Sequence, residues 1–175
     1  MAADKITTFD VLIEIPRGSR NKYEYDFKLK RIRFDRMLFS SMMYPADYGF
    51  MPQTLALDGD PLDVLVLINE PTFPGCVMEV KPIGVFHMAD DKGPDEKIIC
   101  VPVSDPIWNS LSDLSDINPH LLKEIEHFFQ VYKDLENKVV DVGGWGDLNE
   151  ALAIIDECTE RFNQIENKPA DLFNI

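Results

Sequence analysis

Three carboxylates fall within six residues at Asp58-Gly59-Asp60-Pro61-Leu62-Asp63, immediately ahead of the apolar run Val64-Leu65-Val66-Leu67-Ile68. Hard divalent cations take oxygen ligands, and a turn can aim carboxylates at i, i+2 and i+5 toward one point. Packing such groups together without a cation is costly. An Asp- and Gly-rich surface turn accounts for the same spelling, so the run alone leaves both readings open. An EF-hand loop is excluded because its fifth and sixth positions would be Leu62 and Asp63. An Asp-x-Asp phosphotransferase site gains no support, since neither a glycine-rich phosphate loop nor a nucleotide-binding βαβ unit is visible.

A second acidic cluster, Asp90-Asp91-Lys92-Gly93-Pro94-Asp95-Glu96-Lys97, lies between two predicted strands. Alone it reads as a solvated hairpin tip. Joined to the first cluster at the mouth of a barrel, it could hold several cations around a polyanionic substrate. Glu14 interrupts the apolar Val11-Leu12-Ile13-Glu14-Ile15, Lys22 and Glu24 share one strand face, and Arg36 ends an alternating strand. Each alone is ordinary surface charge. Tyr44 and Tyr48 lie in a turn-forming stretch and suit either core packing or a hydroxyl aimed at an anion. Tyr132 is on the apolar stripe of a helix with Lys133 beside it, and His87, His120 and His127 share no metal-ligand spacing.

The elements that must position these groups change character along the chain. From Phe9 to Val103 short alternating or apolar runs separated by Gly, Pro, Asn and Asp predict strands of an antiparallel barrel or sandwich. After Pro106 the period becomes helical. Asn118-Pro119 starts one helix, with Leu121, Leu122, Ile125, Phe128, Phe129, Tyr132 and Leu135 at helical spacing. A short strand is expected over 139–142, and Asp147-Leu148-Asn149-Glu150 resembles a capping box opening a second helix. The fold class is therefore α+β, mainly β with helices last.

The chain has 175 residues, and its 31 acidic and 17 basic residues leave a formal charge of −14. That balance opposes nucleic acid and anionic membranes as partners. One domain over 1–175 is expected, with 167–175 as a loose tail. No run reaches the roughly 18 apolar residues of a membrane span, and Met1 to Lys5 lacks signal-peptide character, which together point to the cytoplasm. Cys76, Cys100 and Cys158, odd in number and far apart, are expected to be buried free thiols.

Taken together, the segments resemble the family I soluble inorganic pyrophosphatases from about Phe9 to Trp145. Asp58-Gly-Asp-Pro-Leu-Asp-Val64 has the form of that family's signature. The other matches follow in the family's order: Ile13-Glu-Ile-Pro16, Lys22-Tyr-Glu24, Asp35-Arg36, Tyr44-Pro with Tyr48-Gly, Asp90 to Lys97, and Tyr132-Lys-Asp-Leu-Glu136. The resemblance implies a five-stranded OB-like antiparallel barrel flanked by two main C-terminal helices. It implies hydrolysis of pyrophosphate, as its Mg complex, to two orthophosphates with several Mg²⁺ ions, in a homo-oligomer that is a hexamer in compact members.

By motif position, Asp58, Asp63, Asp90 and Asp95 are implied metal ligands, with Glu14, Glu24 and Asp91 as outer or water-mediated support. Asp60 is the implied general base toward the attacking water. Lys22, Arg36, Tyr44, Lys97, Tyr132 and Lys133 are the implied grip on the two phosphates, with Tyr48 behind them. Two departures are present: Asp90-Asp91 stands where relatives often have Asp-Glu, and Lys138 follows Glu136 at a shorter spacing than the family's phosphate-binding lysine, so Lys138 has no assigned role. Two other classes remain in play. One is an OB-like binding module without catalysis, and the other is a phosphohydrolase acting on nucleotides or phosphate esters.

Overall fold

A computed structural model of the chain describes residues 7–169, 172, 173 and 175. Its strands are β1 (Phe9–Ile15), β2 (Asn21–Asp26), β3 (Arg31–Met37), β4 (Asp47–Met51), β5 (Leu62–Val66), β6 (Val77–Asp90), β7 (Gly93–Pro94), β8 (Lys97–Pro102) and β9 (Asp141–Gly146). Helix α1 (Pro119–Val131) precedes β9, and α2 (Leu148–Asn163) follows it. Strands β1, β4, β5, β8 and β6 form a ring, because β6 pairs back onto β1. β2 and β3 make a separate hairpin, while β7 and β9 extend from β6.

The expected OB-like barrel flanked by helices is present, with one refinement. Every ring pairing is antiparallel except β5 with β8, which is parallel. The chain leaves β5, reverses into β6 and reverses again into β8, so β8 runs with β5. Parallel neighbours covered on both faces need continuous apolar runs rather than alternation. Leu65 and Ile99 pack in one cluster with Phe128 and Phe129 of α1, while Val64, Val66, Ile98 and Cys100 pack in the other with Ile155 of α2.

Several boundaries differ from the sequence expectation, among them β5, which runs Leu62–Val66 where a strand is expected over Val64–Ile68. The stretch around Tyr48 is not simply a turn but enters β4, where a Cβ on Gly49 would stand 1.9 Å from the Leu12 carbonyl oxygen. Glycine there marks a close backbone approach between β1 and β4. The first helix ends at Val131, and Leu135 is 63% exposed in a 3-10 turn over Asp134–Glu136 rather than on the buried stripe. The expected strand at 139–142 is displaced to β9, leaving Val139 exposed.

The caps follow the sequence more closely. Asn118 accepts from the His120 N–H, and Asp147 accepts from the Glu150 N–H. The Glu150 carboxylate, however, lies 2.9 Å from His87 Nε2. Cys100 and Cys158 are buried free thiols, whereas Cys76 is partly exposed. Of the tail expected to be loose, positions 170, 171 and 174 lie outside the described residues. Phe173 packs at a tilt against Phe27 and Phe162, and its carbonyl accepts from the Gln53 N–H at 3.0 Å. Among the described residues no helix is long and apolar enough to cross a membrane.

Candidate active site

The first acidic run is held by the connection between β4 and β5. The buried Thr54 hydroxyl donates to the Met51 carbonyl at 2.6 Å and accepts from the Leu62 N–H at 2.8 Å, closing the neck of the loop. Within it Asp60 N–H donates to Asp58 Oδ1 at 3.0 Å, Ala56 N–H donates to the Asp60 carbonyl at 2.8 Å, and Gly59 takes a left-handed φ of 94°. Helix α2 clamps the outside: Leu55 N–H donates to the Cys158 carbonyl, and Arg161 Nη1 donates to the Leu55 carbonyl at 2.6 Å. Asp63 then stands on β5 itself, where the parallel register makes Lys97 of β8 its partner.

The second acidic cluster is carried by the ends of β6, β7 and β8, with Asp95 N–H donating to the Met88 carbonyl at 2.8 Å. Glu14 arrives from β1 at a register irregularity between Ile13 and Ile15, the kind of bulge that re-aims a side chain. Its carboxylate accepts from the Tyr25 N–H at 2.7 Å.

These elements enclose a cavity of about 420 Å³. Glu14, Glu24, Asp58, Asp60, Asp63, Asp90 and Asp95 line it with Lys22, Lys92, Lys97 and Lys133, so seven carboxylates face four ammoniums. Tyr48 and Tyr132 share the wall, and Tyr25, Phe27, Phe50 and Phe173 supply an apolar side. Arg36, Tyr44 and Asp91 of the expected set do not line it. Arg36 is paired with Asp35 and Glu136, Tyr44 is 2% exposed against Tyr48 and Phe128, and Asp91 is exposed in the turn after β6.

Ammoniums stand between the carboxylates. Lys97, 1% exposed, bridges Asp63 and Asp95; Lys133 lies 3.1 Å from Asp90, and Lys92 lies 3.6 Å from Asp60. Burial opposes the charge on Lys97, yet Asp63 and Asp95 outweigh it and hold its pKa above the ordinary lysine value. Burial first, and the charge of Asp63 next, raise the Asp95 carboxyl, against the pull of Lys97. Glu14 is pushed up to about 8, chiefly by burial and then by Asp63 and Glu24, against the Tyr25 N–H and Lys22. At Asp90 burial is outweighed by the Lys92 N–H and by Lys133, which hold its carboxyl low. The Tyr48 hydroxyl donates to Asp63 at 2.6 Å, fixing that carboxylate from behind.

The donor set suits a hard divalent ion: it is all oxygen, in carboxylate excess, and includes a Glu14 carboxyl whose ionisation is opposed until positive charge arrives. Among the described residues no three ligating side chains already converge closely enough to hold an ion. The lysines occupy the intervening space.

The comparisons decide the family. A sequence model described as inorganic pyrophosphatase matches residues 11–163. The chain belongs to the inorganic pyrophosphatase family. An inorganic pyrophosphatase of Methanosarcina mazei is 62% identical over 154 residues, covering 88% of this chain and 91% of its own length. One from Synechocystis is 48% identical, covering 92% and 95%. The crystal structure of the Thermus thermophilus inorganic pyrophosphatase superposes with a TM-score of 0.87 at 44% identity, covering 93% of this chain and 95% of that one. A Trypanosoma cruzi vacuolar soluble pyrophosphatase, truncated at its N-terminal domain and solved with pyrophosphate, gives 0.84 at 27% identity, covering 93% and 72%. As an inorganic pyrophosphatase the chain is a metal-dependent hydrolase that cleaves pyrophosphate to orthophosphate.

Beside this pyrophosphatase identity stand two groups that had no role assigned from sequence. Lys92 reaches from the second acidic cluster to Asp60 of the first, which only the barrel closure reveals. Glu136 meets Arg36 across a separation of 100 residues. Its place three residues after Lys133 was the one available signal.

Proposed function

We propose that the acidic cavity is the catalytic centre for pyrophosphate hydrolysis, with Mg²⁺ as its metal. Asp58, Asp63, Asp90 and Asp95 would hold the ions, supported by Glu14, Glu24 and, from the adjoining turn, Asp91. The observation that carries this reading is the charge balance. Seven carboxylates against four lysines repel bare pyrophosphate, so the substrate enters as its Mg complex. When bound, Mg²⁺ lowers the pKa of a coordinated water and offsets charge on the phosphate oxygens.

The chain's own residues do the rest. Asp60, whose side chain is 63% exposed at the cavity rim, accepts the proton of the attacking water. Lys22, Tyr132 and Lys133 orient the phosphates, and Lys97 places a buried positive charge on the same wall. Arg36 and Tyr44 act from just behind that wall, and Tyr48 steadies Asp63. In-line displacement needs positioning and charge stabilisation rather than a covalent phosphoenzyme. The same reading has the enzyme in the cytoplasm as a homohexamer, with exposed Phe34, Phe39 and Phe73 available for subunit contact. Sedimentation of the intact chain tests the hexamer.

Phosphate release from pyrophosphate, ATP and a simple monoester, with and without Mg²⁺, tests the activity. Release is expected from pyrophosphate with Mg²⁺ and far less from the others. Asp60→Asn should lower kcat by roughly 10²- to 10⁴-fold, the usual contribution of a general base, while retaining Mg²⁺ binding. Turnover near that of the unaltered enzyme removes Asp60 from the base role.

A further inference from the structure

Arg36 is the last residue but one of β3, and its guanidinium is held by carboxylates on two sides. Asp35 takes Nη1. On the other side Nη2 donates to Glu136 Oε2 at 3.1 Å, and Nε lies 2.8 Å from Oε1. The Nε contact is one of distance only, since that buried N–H is not aligned on an acceptor among the described residues. The Glu136 side chain is 9% exposed and that of Arg36 25%, so water competes little for the pair. Of the five guanidinium N–H groups, one on Nη1 and one on Nη2 are hydrogen-bonded to these carboxylates.

Glu136 closes the 3-10 turn that begins just after Lys133, and Asn137 with φ 56° ends it. Both Tyr132 and Lys133 line the active-site cavity, whereas Glu136 and Arg36 do not. The Arg36–Glu136 pair therefore ties β3 to the segment that presents Tyr132 and Lys133. The tie also has an electrostatic sense: Glu136 and Asp35 together balance the Arg36 charge beside the cavity, and loss of Glu136 would leave Asp35 alone on the guanidinium.

We propose that Glu136 is a positioning residue for pyrophosphate hydrolysis: its carboxylate fixes the Arg36 guanidinium and, through the same pair, the Tyr132–Lys133 segment. This rests on the reading of Arg36 as a phosphate-orienting group. Glu136 holds the guanidinium through one hydrogen bond and a second close charge contact, so a neutral amide there keeps the shape and loses the charge that fixes the orientation.

The test is steady-state hydrolysis of Mg-pyrophosphate at saturating Mg²⁺ by Glu136→Gln, Glu136→Asp, Arg36→Gln and the double variant Arg36→Gln with Glu136→Gln, each with its urea unfolding midpoint. Glu136→Gln should raise KM about tenfold with a smaller change in kcat, the pattern of lost substrate orientation shared by ground and transition states. Glu136→Asp, which keeps the charge on a shorter arm, should recover part of that loss. The double variant should be no worse than Arg36→Gln alone. If Arg36→Gln raises KM and Glu136→Gln leaves it within about twofold, whatever happens to the unfolding midpoint, the role of Arg36 stands and the one given to Glu136 is overturned. Additive losses in the double variant overturn it as well. If Arg36→Gln itself leaves kcat/KM unchanged, the reading of Arg36 fails, and this proposal with it.

Discussion

Replacing Glu14 by Gln should make the metal-free enzyme more stable at pH 8 than the unaltered chain, and nearly equal to it at pH 5. An ordinary glutamate has a pKa of 4.5, and the fold pushes Glu14 up to about 8. A carboxyl raised in the fold binds its proton more tightly folded than unfolded. The stability tied to that proton is whole below about 4.5 and is lost progressively as pH rises toward 8. Each unit of difference is worth about 1.36 kcal/mol, which sets a ceiling of ~5 kcal/mol over this interval. Glu14 is only partly shielded from solvent, and screening reduces the expected loss to ~2–3 kcal/mol. That is a large share of a typical domain stability of roughly 5–15 kcal/mol.

The amide carbonyl of Gln can still accept from the Tyr25 N–H, so the backbone contact survives the change. Urea unfolding after EDTA treatment, at pH 5, 6, 7 and 8 for both proteins, measures the effect. Asp26, Asp90 and Asp116 have lowered pKa values and act in the opposite sense, but they are common to both chains and cancel in the difference. Mg²⁺ added at pH 8 should narrow the gap by compensating the ionised carboxylate. Parallel pH curves for the two proteins would refute the reasoning.

Lys97→Met removes the buried ammonium between Asp63 and Asp95, and two facing carboxylates without a cation should destabilise the EDTA-treated protein by roughly 3–5 kcal/mol. Urea titration checks this, and Mg²⁺ should restore part of the loss; an unchanged midpoint without metal contradicts it. Thr54→Val deletes the hydroxyl that joins Met51 to Leu62 and should cost about 1–3 kcal/mol. The same variant should need more Mg²⁺ for half-maximal activity, because the loop bearing Asp58 and Asp60 loses its neck; an unaltered Mg²⁺ titration places the loop's order elsewhere.

Local chemistry made much of the molecule readable. Asn118-Pro119 and Asp147 announce the two helix starts because capping is settled within a few residues. The strand positions of β1, β2, β3, β6 and β8 follow from runs whose partners need not be known, whereas β5 begins two residues earlier than its apolar run. Gly49 was opaque, since what demands glycine there is the Leu12 carbonyl 37 residues earlier in the chain, against a backbone otherwise spelled like a turn. The end of α1 was opaque too. Leu135 keeps helical spacing, but the turn after Tyr132 goes to meet Arg36, and that attraction acts across the fold. Within the site, carboxylate types and order were legible. The lodging of Lys97 between two of them was not, because strand alternation says nothing about which strands become neighbours.

The parallel register of β5 and β8 has a consequence for how the enzyme comes into being. Asp63 and Lys97 are 34 residues apart in sequence, and they become neighbours only after β6 has folded back between them in the chain. Such distant pairings form slowly, after local hairpins and helices. The two acidic segments are therefore expected to meet only when β8 docks on β5, so that the repulsive cluster is assembled together with its internal counter-charge. Recovered hydrolysis should lag behind recovered strand content, reporting on the docking of β8 against β5.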